Sequence, residues 1–256
     1  MKIIENYDYI LSVGAFFEDD KLKNSLQKAL NNGANFIYMH PIDNFELKDF
    51  YAQFIKYEVA SEEAILALIF NFFSKKLPKE QKDFLDNLDI GYLSAESSAG
   101  EEEFEEAFLK FEEASKKALL IGDDLIKHAR VENIVKLLAN IKKYIDFELI
   151  FCDKTFEEKV NSCSDLSLDE IDDLQTFNGA LVYFTNIQNN EKLVASQTFL
   201  NIAKVKTADI VSFKIDNKIY KKEVVLDKNL LGTIALISEP TSNYRFVKIV
   251  LNKEQN

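Results

Sequence analysis

An open α/β sheet followed by a smaller β domain is the fold this sequence predicts, on three observations. The first is the stretch Lys117 to Phe151. An aliphatic run stopped by Gly122 leads through a loop into an amphipathic segment with apolar Val131, Ile134, Val135, Leu138 and Ile141, then into a short run ending near Cys152. Strand, crossover helix and parallel strand within about 30 residues is the unit of a parallel sheet. The second is that the chain opens on the same plan: a strand at Tyr9 to Val13, Gly14, a helix over Asp20 to Leu30, Gly33 and a strand at Asn35 to His40. The third is that from Lys192 onward helical periodicity gives way to short alternating runs, the mark of a separate β region.

Each element has its own justification. Tyr9 to Val13 is mostly apolar on both faces, as a central parallel strand should be. Glu18, Asp19 and Asp20 then supply a cap and suit the positive end of a helix dipole. Leu22, Leu26, Ala29 and Leu30 share one face, and Asn31-Asn32-Gly33 stops the helix. Phe54 to Val59 reads as a third strand. Ser61 opens a helix with Glu62 and Glu63 in its first turn, and Ile65 to Phe73 leave it almost no polar face, so it is either buried or docks against something. Leu77 to Ser98 reads as connecting segments around a short helix. Glu101 to Lys116 is an amphipathic helix with Phe104, Ala107, Phe108, Phe111 and Ala114 on one side.

After Phe151 comes an acidic segment, Asp153 to Gln175, with a short helix expected at Asp169 to Asp173. Ala180 to Thr185 reads as the last strand of the α/β part, so the expected domains are residues 1–186 and 187–256. In the second, Asp209 to Ile215, Ile219 to Leu226, Gly232 to Ile237 and Arg245 to Leu251 are strands of a small sheet or barrel, the first two joined by a tight turn at Asp216-Asn217.

Composition narrows the function classes. The net charge of -12 arises in two places: Glu101 to Glu113 and Glu157 to Asp173 each carry seven acids against one lysine. A chain neutral elsewhere lacks the basic footprint of a general nucleic-acid binder. From Phe177 onward eleven bases face seven acids, and this mildly basic end could pair with the acidic middle within the molecule or across an assembly, although charge runs are usually solvated faces. Cys152 and Cys163, the only thiols, are too few for an iron–sulfur cluster and wrongly spaced for zinc, so idle thiols in a reduced cytosolic setting are expected. MKIIENYDYI has no signal-peptide core, and the longest apolar run, Ala64 to Phe73, is about half a membrane span.

Catalytic equipment is hard to find. Gly14 follows a strand, where phosphate loops begin, but it has no second glycine and three acids follow; a structural turn competes with nucleotide binding there. Asp123 and Asp124 after Gly122 could hold a divalent ion or a ribose hydroxyl, or simply cap a helix. His40 and His128 are the only histidines, each near the carboxyl end of a strand, where open α/β sheets place ligands. A satisfied or surface histidine is the expectation for both. There is no G-x-S-x-G for a serine nucleophile, and the carboxylates of Glu101 to Glu113 face water.

The order of segments resembles the C-terminal half of the large iron–sulfur subunit of NADH-quinone oxidoreductase (respiratory complex I), a descendant of the molybdopterin oxidoreductases. YDYILSVGAFFEDD, NNGANFIYMHPIDN and KALLIGDDLIKHARVENIVKLLANI are similar to that family's strand and helix segments. VASQTFLNIAKVKTADIVSFKIDNKIYKKEVVLDKNLLGTIALIS is similar to its closing β-barrel domain, with Ala208-Asp209-Ile210-Val211 and Gly232 to Leu236 in the places of its "GD-V" and "G-x-I-A-L". The resemblance implies a formate dehydrogenase/DMSO reductase-like α/β domain and a small β-barrel-like domain.

The departures from the family carry as much. Its N-terminal cysteine clusters are absent, which implies no electron transfer through this chain. In the molybdenum enzymes the loop after the first strand and an Asp-Pro-Arg turn after the second hold the pterin dinucleotide. Here Gly14-Ala15-Phe16-Phe17 and His40-Pro41-Ile42-Asp43-Asn44 stand there; Phe16 and Phe17 would crowd a phosphate, and no Arg accompanies Pro41. The expectation is a non-catalytic accessory subunit of the peripheral arm of a complex I-type oxidoreductase. No catalytic, cofactor-binding or metal residue is assigned, no cofactor is expected, and the partners are other peripheral-arm subunits. Neither nucleic acid nor direct membrane insertion is expected; the location is cytoplasmic, at the inner membrane through the complex. Ala64 to Phe73 and the basic end are the expected docking surfaces. The alternative is a stand-alone enzyme or binding protein for a small nucleotide-like ligand at the carboxyl edge of the sheet.

Overall fold

The computed structural model describes residues 3–171, 173–186 and 191–254. The chain divides into two compact units, Met1–Pro41 with Asp49–Thr176, and Ile42–Lys48 with Phe177–Asn256.

In the first unit β1 (Tyr9–Val13), α1 (Asp20–Asn31), β2 (Asn35–Met39) and β3 (Gln53–Ile55) are followed by four helices: α2 (Glu62–Phe73), α3 (Lys79–Asp86), α4 (Ile90–Ser97) and α5 (Glu101–Glu113). Then come β4 (Lys117–Ile121), α6 (Val131–Tyr144), β5 (Glu148–Phe151) and α7 (Lys154–Asn161). The five strands form one parallel sheet in the order β3-β2-β1-β4-β5, with Tyr9 opposite both Asn35 and Lys117. The chain therefore builds outward from β1 on one side, then crosses and builds outward on the other. The point of reversal lies between β1 and β4, which is where open α/β sheets form a crevice at their carboxyl edge.

Local sequence explains the main elements. Asp19 caps α1 by accepting from the Lys21 amide, and Leu22, Leu26 and Ala29 are its buried stripe. On one face of the sheet Tyr9, Leu11, Val13, Leu119 and Ile121 join one core with α2, Phe104 and Phe111 of α5, and Ile134, Leu137, Leu138 and Ile141 of α6. The helix α2 is buried from Glu62 to Phe70. Its apolar circumference is thus spent on this unit's own core, and Ala64 to Phe73 is not the docking surface the sequence suggested.

Three further expectations need correction. Residues 77–98 hold two helices, α3 and α4, because Pro78 and Asp89 each begin one. The acidic segment starts with α7, capped by Asp153 to the Phe156 amide, whereas the helix expected at Asp169 to Asp173 does not form over 169–171 or at 173; Asp172 lies outside the described residues. The strand at Ala180 to Thr185 does not close the parallel sheet.

That strand, β6 (Leu181–Thr185), belongs instead to the second unit, with β7 (Lys192–Ala195), α8 (Gln197–Ala203), β8 (Ile210–Ile215), β9 (Lys218–Leu226), β10 (Ile234–Ser238), β11 (Phe246–Lys248) and β12 (Asn252–Lys253). These form a seven-stranded mixed sheet in the order β11-β6-β10-β7-β9-β8-β12. β6 runs parallel to β10, Ile234 opposite Leu181, and antiparallel to β11. All five residues of LVYFT are buried, so both faces of this strand are covered, the pattern of a parallel-sheet strand. The expected hairpin is present: Ile215 pairs with Lys218 across Asp216-Asn217, with Asp216 at φ 51°, a left-handed conformation that a short polar side chain tolerates. Val182, Phe184, Leu193, Phe199, Val211 and Phe213 form this unit's separate core.

Candidate functional site

The carboxyl edge of the parallel sheet is the place to look, and the loops after β1 and β4 define it. Gly14 has φ 64°, and its amide donates to the Met39 carbonyl at 3.3 Å. The Gly122 amide donates to the Val13 carbonyl at 2.9 Å, and the Asp124 amide to the Gly14 carbonyl at 3.2 Å. The two glycine loops lie against each other so closely that a Cβ on Gly122 would stand 1.9 Å from the Gly14 oxygen. A Cβ on Gly14 would meet Leu125 Cδ1 at 2.3 Å. Gly122 thus serves close approach of backbone to backbone, whereas Gly14 combines a left-handed φ with the packing of the Leu125 side chain against it. The space between β1 and β4 is filled by the protein itself.

Against this closure sits a buried pair the sequence did not connect. His40 Nε2 lies 2.9 Å from Asp124 Oδ2, both side chains fully buried. His40 stacks on Tyr38 with centroids 5.7 Å apart and packs against Phe16 at 5.4 Å; Tyr38 stacks in turn on Tyr51 and Phe54. Phe17, with φ 60°, turns inward against Phe36 at 5.4 Å. Phe16 and Phe17 are therefore buried parts of the wall.

Beneath the pair lies Tyr57, fully buried, with its hydroxyl ionisation pushed well above the usual range by burial and then by the Glu62 and Asp124 carboxylates. The Gly14 backbone beside the hydroxyl opposes that rise. Glu62 and Glu63 open α2 and are themselves buried. His128 donates from Nε2 to the Ala60 carbonyl at 3.0 Å, with Glu62 Oε2 at 3.5 Å, and accepts from the Arg130 amide at Nδ1. Those bonds fix the neutral ring, and burial lowers its pKa, with Arg130 adding to the effect and the Ala60 bond opposing it. Glu63 is held by Arg130 Nε at 3.2 Å to each oxygen and by Asn133 Nδ2 at 2.6 Å.

Chemically this is an interior network. Histidine, carboxylate and phenol are all present, yet the two groups nearest a general acid–base pair, His40 and Asp124, are shut away from solvent. Asp123 and Asp124 are the first two residues of a 3₁₀ turn, Asp123–Lys127, whose capping position is Gly122, so neither takes the capping place expected of it, and Asp124 faces His40. His128 is separate from that pair, on the Glu62 side. Cys152 and Cys163 are both free thiols, Cys163 donating to the Asp165 carbonyl at 3.2 Å. Among the described residues no three His, Cys, Asp or Glu side chains are grouped to hold a metal ion, and no helix is long and apolar enough to cross a membrane.

Tyr57, Arg130 and Asn133 were not singled out in the sequence, and Glu62 and Glu63 were read only as the first turn of a helix. One signal was available: two acids opening a helix that has no polar face must be buried with it, and buried acids need partners. No protein-family model matches the chain, and no curated protein matches it.

Proposed function

We propose that the chain is a non-catalytic subunit of the peripheral arm of a complex I-type NADH-quinone oxidoreductase. In this reading the first unit is a formate dehydrogenase/DMSO reductase-like domain, and the second corresponds to the β-barrel domain that closes that family's large subunit. In the first unit the segments that carry the resemblance lie in β1, α1, β2, β4 and α6, the elements that surround the sheet's switch point, and in the second they run from β7 to β10.

The observation that supports the reading best is the contact of the Gly14 and Gly122 loops. A pterin dinucleotide in such a sheet needs the crevice between those loops, and a clearance of 1.9 Å for one added carbon leaves no room for a phosphate. Phe16 and His40 pack together where the two holding segments would reach it, and no arginine follows Pro41. The residues do not fit the group, and no chemistry is derived through it. What remains is a rigid scaffold whose contribution is surface complementarity with redox subunits, and peripheral attachment to the membrane follows through them.

The test is affinity purification of the tagged chain from detergent-solubilised membranes, with the recovered proteins identified by mass spectrometry. Stoichiometric recovery of quinone-oxidoreductase subunits is the expected result. Recovery of the chain alone with a bound nucleotide would replace the reading with that of a small-ligand protein acting at the carboxyl edge.

A further inference from the structure

The first unit carries an open cleft of about 590 Å³ between α3, α4 and the extended segment after α7. Its floor is apolar: Phe84, Leu88, Tyr92, Leu168 and Ile171 line it, each half-buried and packed on the core from one side only. Its rim is acidic, with Glu80 and Asp83 from α3, Asp89 from the α3–α4 joint and Glu170 from the segment opposite. No lysine, arginine or histidine lines it; Lys79 and Lys82 of α3 are exposed elsewhere on that helix. Among the described residues none of these four carboxylates forms an ion pair, although the acids of the neighbouring segment, Asp165 and Asp169, are paired with Lys136.

We propose that this cleft is a docking groove for a cationic amphipathic helix of a partner protein. The argument is complementarity in two respects. Half-exposed aliphatic and aromatic side chains in a trough are the receiving surface for one apolar helix face, whose anchors recur at i, i+3 and i+4. Carboxylates that come from three separate segments surround that trough, so lysine or arginine stems lying along the floor bring their charged heads to the rim on every side. The two bounding helices have eight residues each, about 12 Å of axis, which matches roughly two turns of a guest. This inference does not rest on the function proposed above.

The probe is a fluorescein-labelled model helix built only of leucine and lysine with its leucines on one face, titrated into the full-length chain and read by fluorescence anisotropy. Asp83→Lys and Leu88→Ser are each expected to weaken binding about tenfold, the first through the rim and the second through the floor. Glu102→Lys and Glu105→Lys, reversals on exposed positions of α5, are the charge-matched controls and are expected to leave it within about twofold. Circular dichroism and thermal unfolding of each variant confirm that it folds. Amide shift perturbation by NMR, which needs no variant, is expected to centre on α3, α4 and residues 168–171. Equal weakening by the α5 reversals, shifts spread over the acidic surface, or equal affinity for a peptide with leucines replaced by serine would each overturn the proposal. The last would mark an unspecific cation sink.

Discussion

Single residues at the carboxyl edge bear most of the structural constraint. At Gly122 the missing side chain is what lets the two loops close. Gly122→Ala forces a carbon to within 1.9 Å of a backbone oxygen, which no rotamer change can relieve. We expect it to lower stability by about 3 kcal/mol, the upper end of overpacking costs, measured by urea unfolding. His128 offers a test by pH. Burial holds it below its ordinary value of 6.5, so the folded chain takes up this proton less readily than the unfolded chain. By linkage its contribution is complete above about pH 6.5 and is lost as pH falls from there toward the folded value. Denaturant unfolding from about pH 7.5 to about 5.5 should therefore show declining stability, and His128→Gln should flatten the decline over that window. A variant whose slope equals that of the parent chain would show that His128 is not the source.

Among the elements, the acidic segment after α7 has no helix or strand among its described residues and is held by side-chain bonds. Asn133 accepts from the Asp169 amide and donates to its carbonyl, Asn140 and Gln81 donate to Leu166, and Arg130 donates to the Glu170 carbonyl at 2.6 Å. Asn133 also donates to the buried Glu63, so one side chain serves both strap and core. Asn133→Ala is expected to cost about 2 kcal/mol, because it leaves a buried carboxylate short of a donor. It should also speed proteolytic cleavage within 165–171, read by limited digestion and mass spectrometry. Unchanged cleavage would mean the remaining bonds hold the strap without it. The sequence could not announce this arrangement, since polar side chains bonding to distant backbone leave no periodic trace. Periodicity did reveal β1, α1, β2, β4, α6 and β5, whose bounds match the expected ones within a few residues. It failed at α3 and α4, each eight residues long, where too few turns exist for a stripe to stand out.

For the whole molecule, the two-part grammar was legible and the place of β6 was not. A run of four buried apolar residues and a buried threonine fits the centre of a parallel or a mixed sheet equally well, and only its pairing with β10 and β11 decides. The candidate site was half legible. Open α/β topology pointed to the carboxyl edge, and Gly14, His40, Gly122 and Asp124 all lie there. That His40 and Asp124, 84 positions apart, would meet is information held in the register of the sheet. Charge also reads differently once folded: in the second unit Lys218 and Lys222 engage Glu239, Lys221 engages Glu254 and Lys253 engages Asp209, so four of the eleven bases after Phe177 are paired within the unit. Such exposed pairs add little stability, but they shrink the cationic surface offered to a partner.

Whether the protein fills its own crevice decides between a scaffold and a ligand-binding domain. Native mass spectrometry of the full chain, purified without denaturation from cells that make pterin and nucleotide cofactors, addresses that directly. The mass of the bare polypeptide is expected. A stoichiometric adduct that survives desalting, and that disappears in Phe16→Ala or His40→Ala, would show a ligand held where the two glycine loops are said to leave no room.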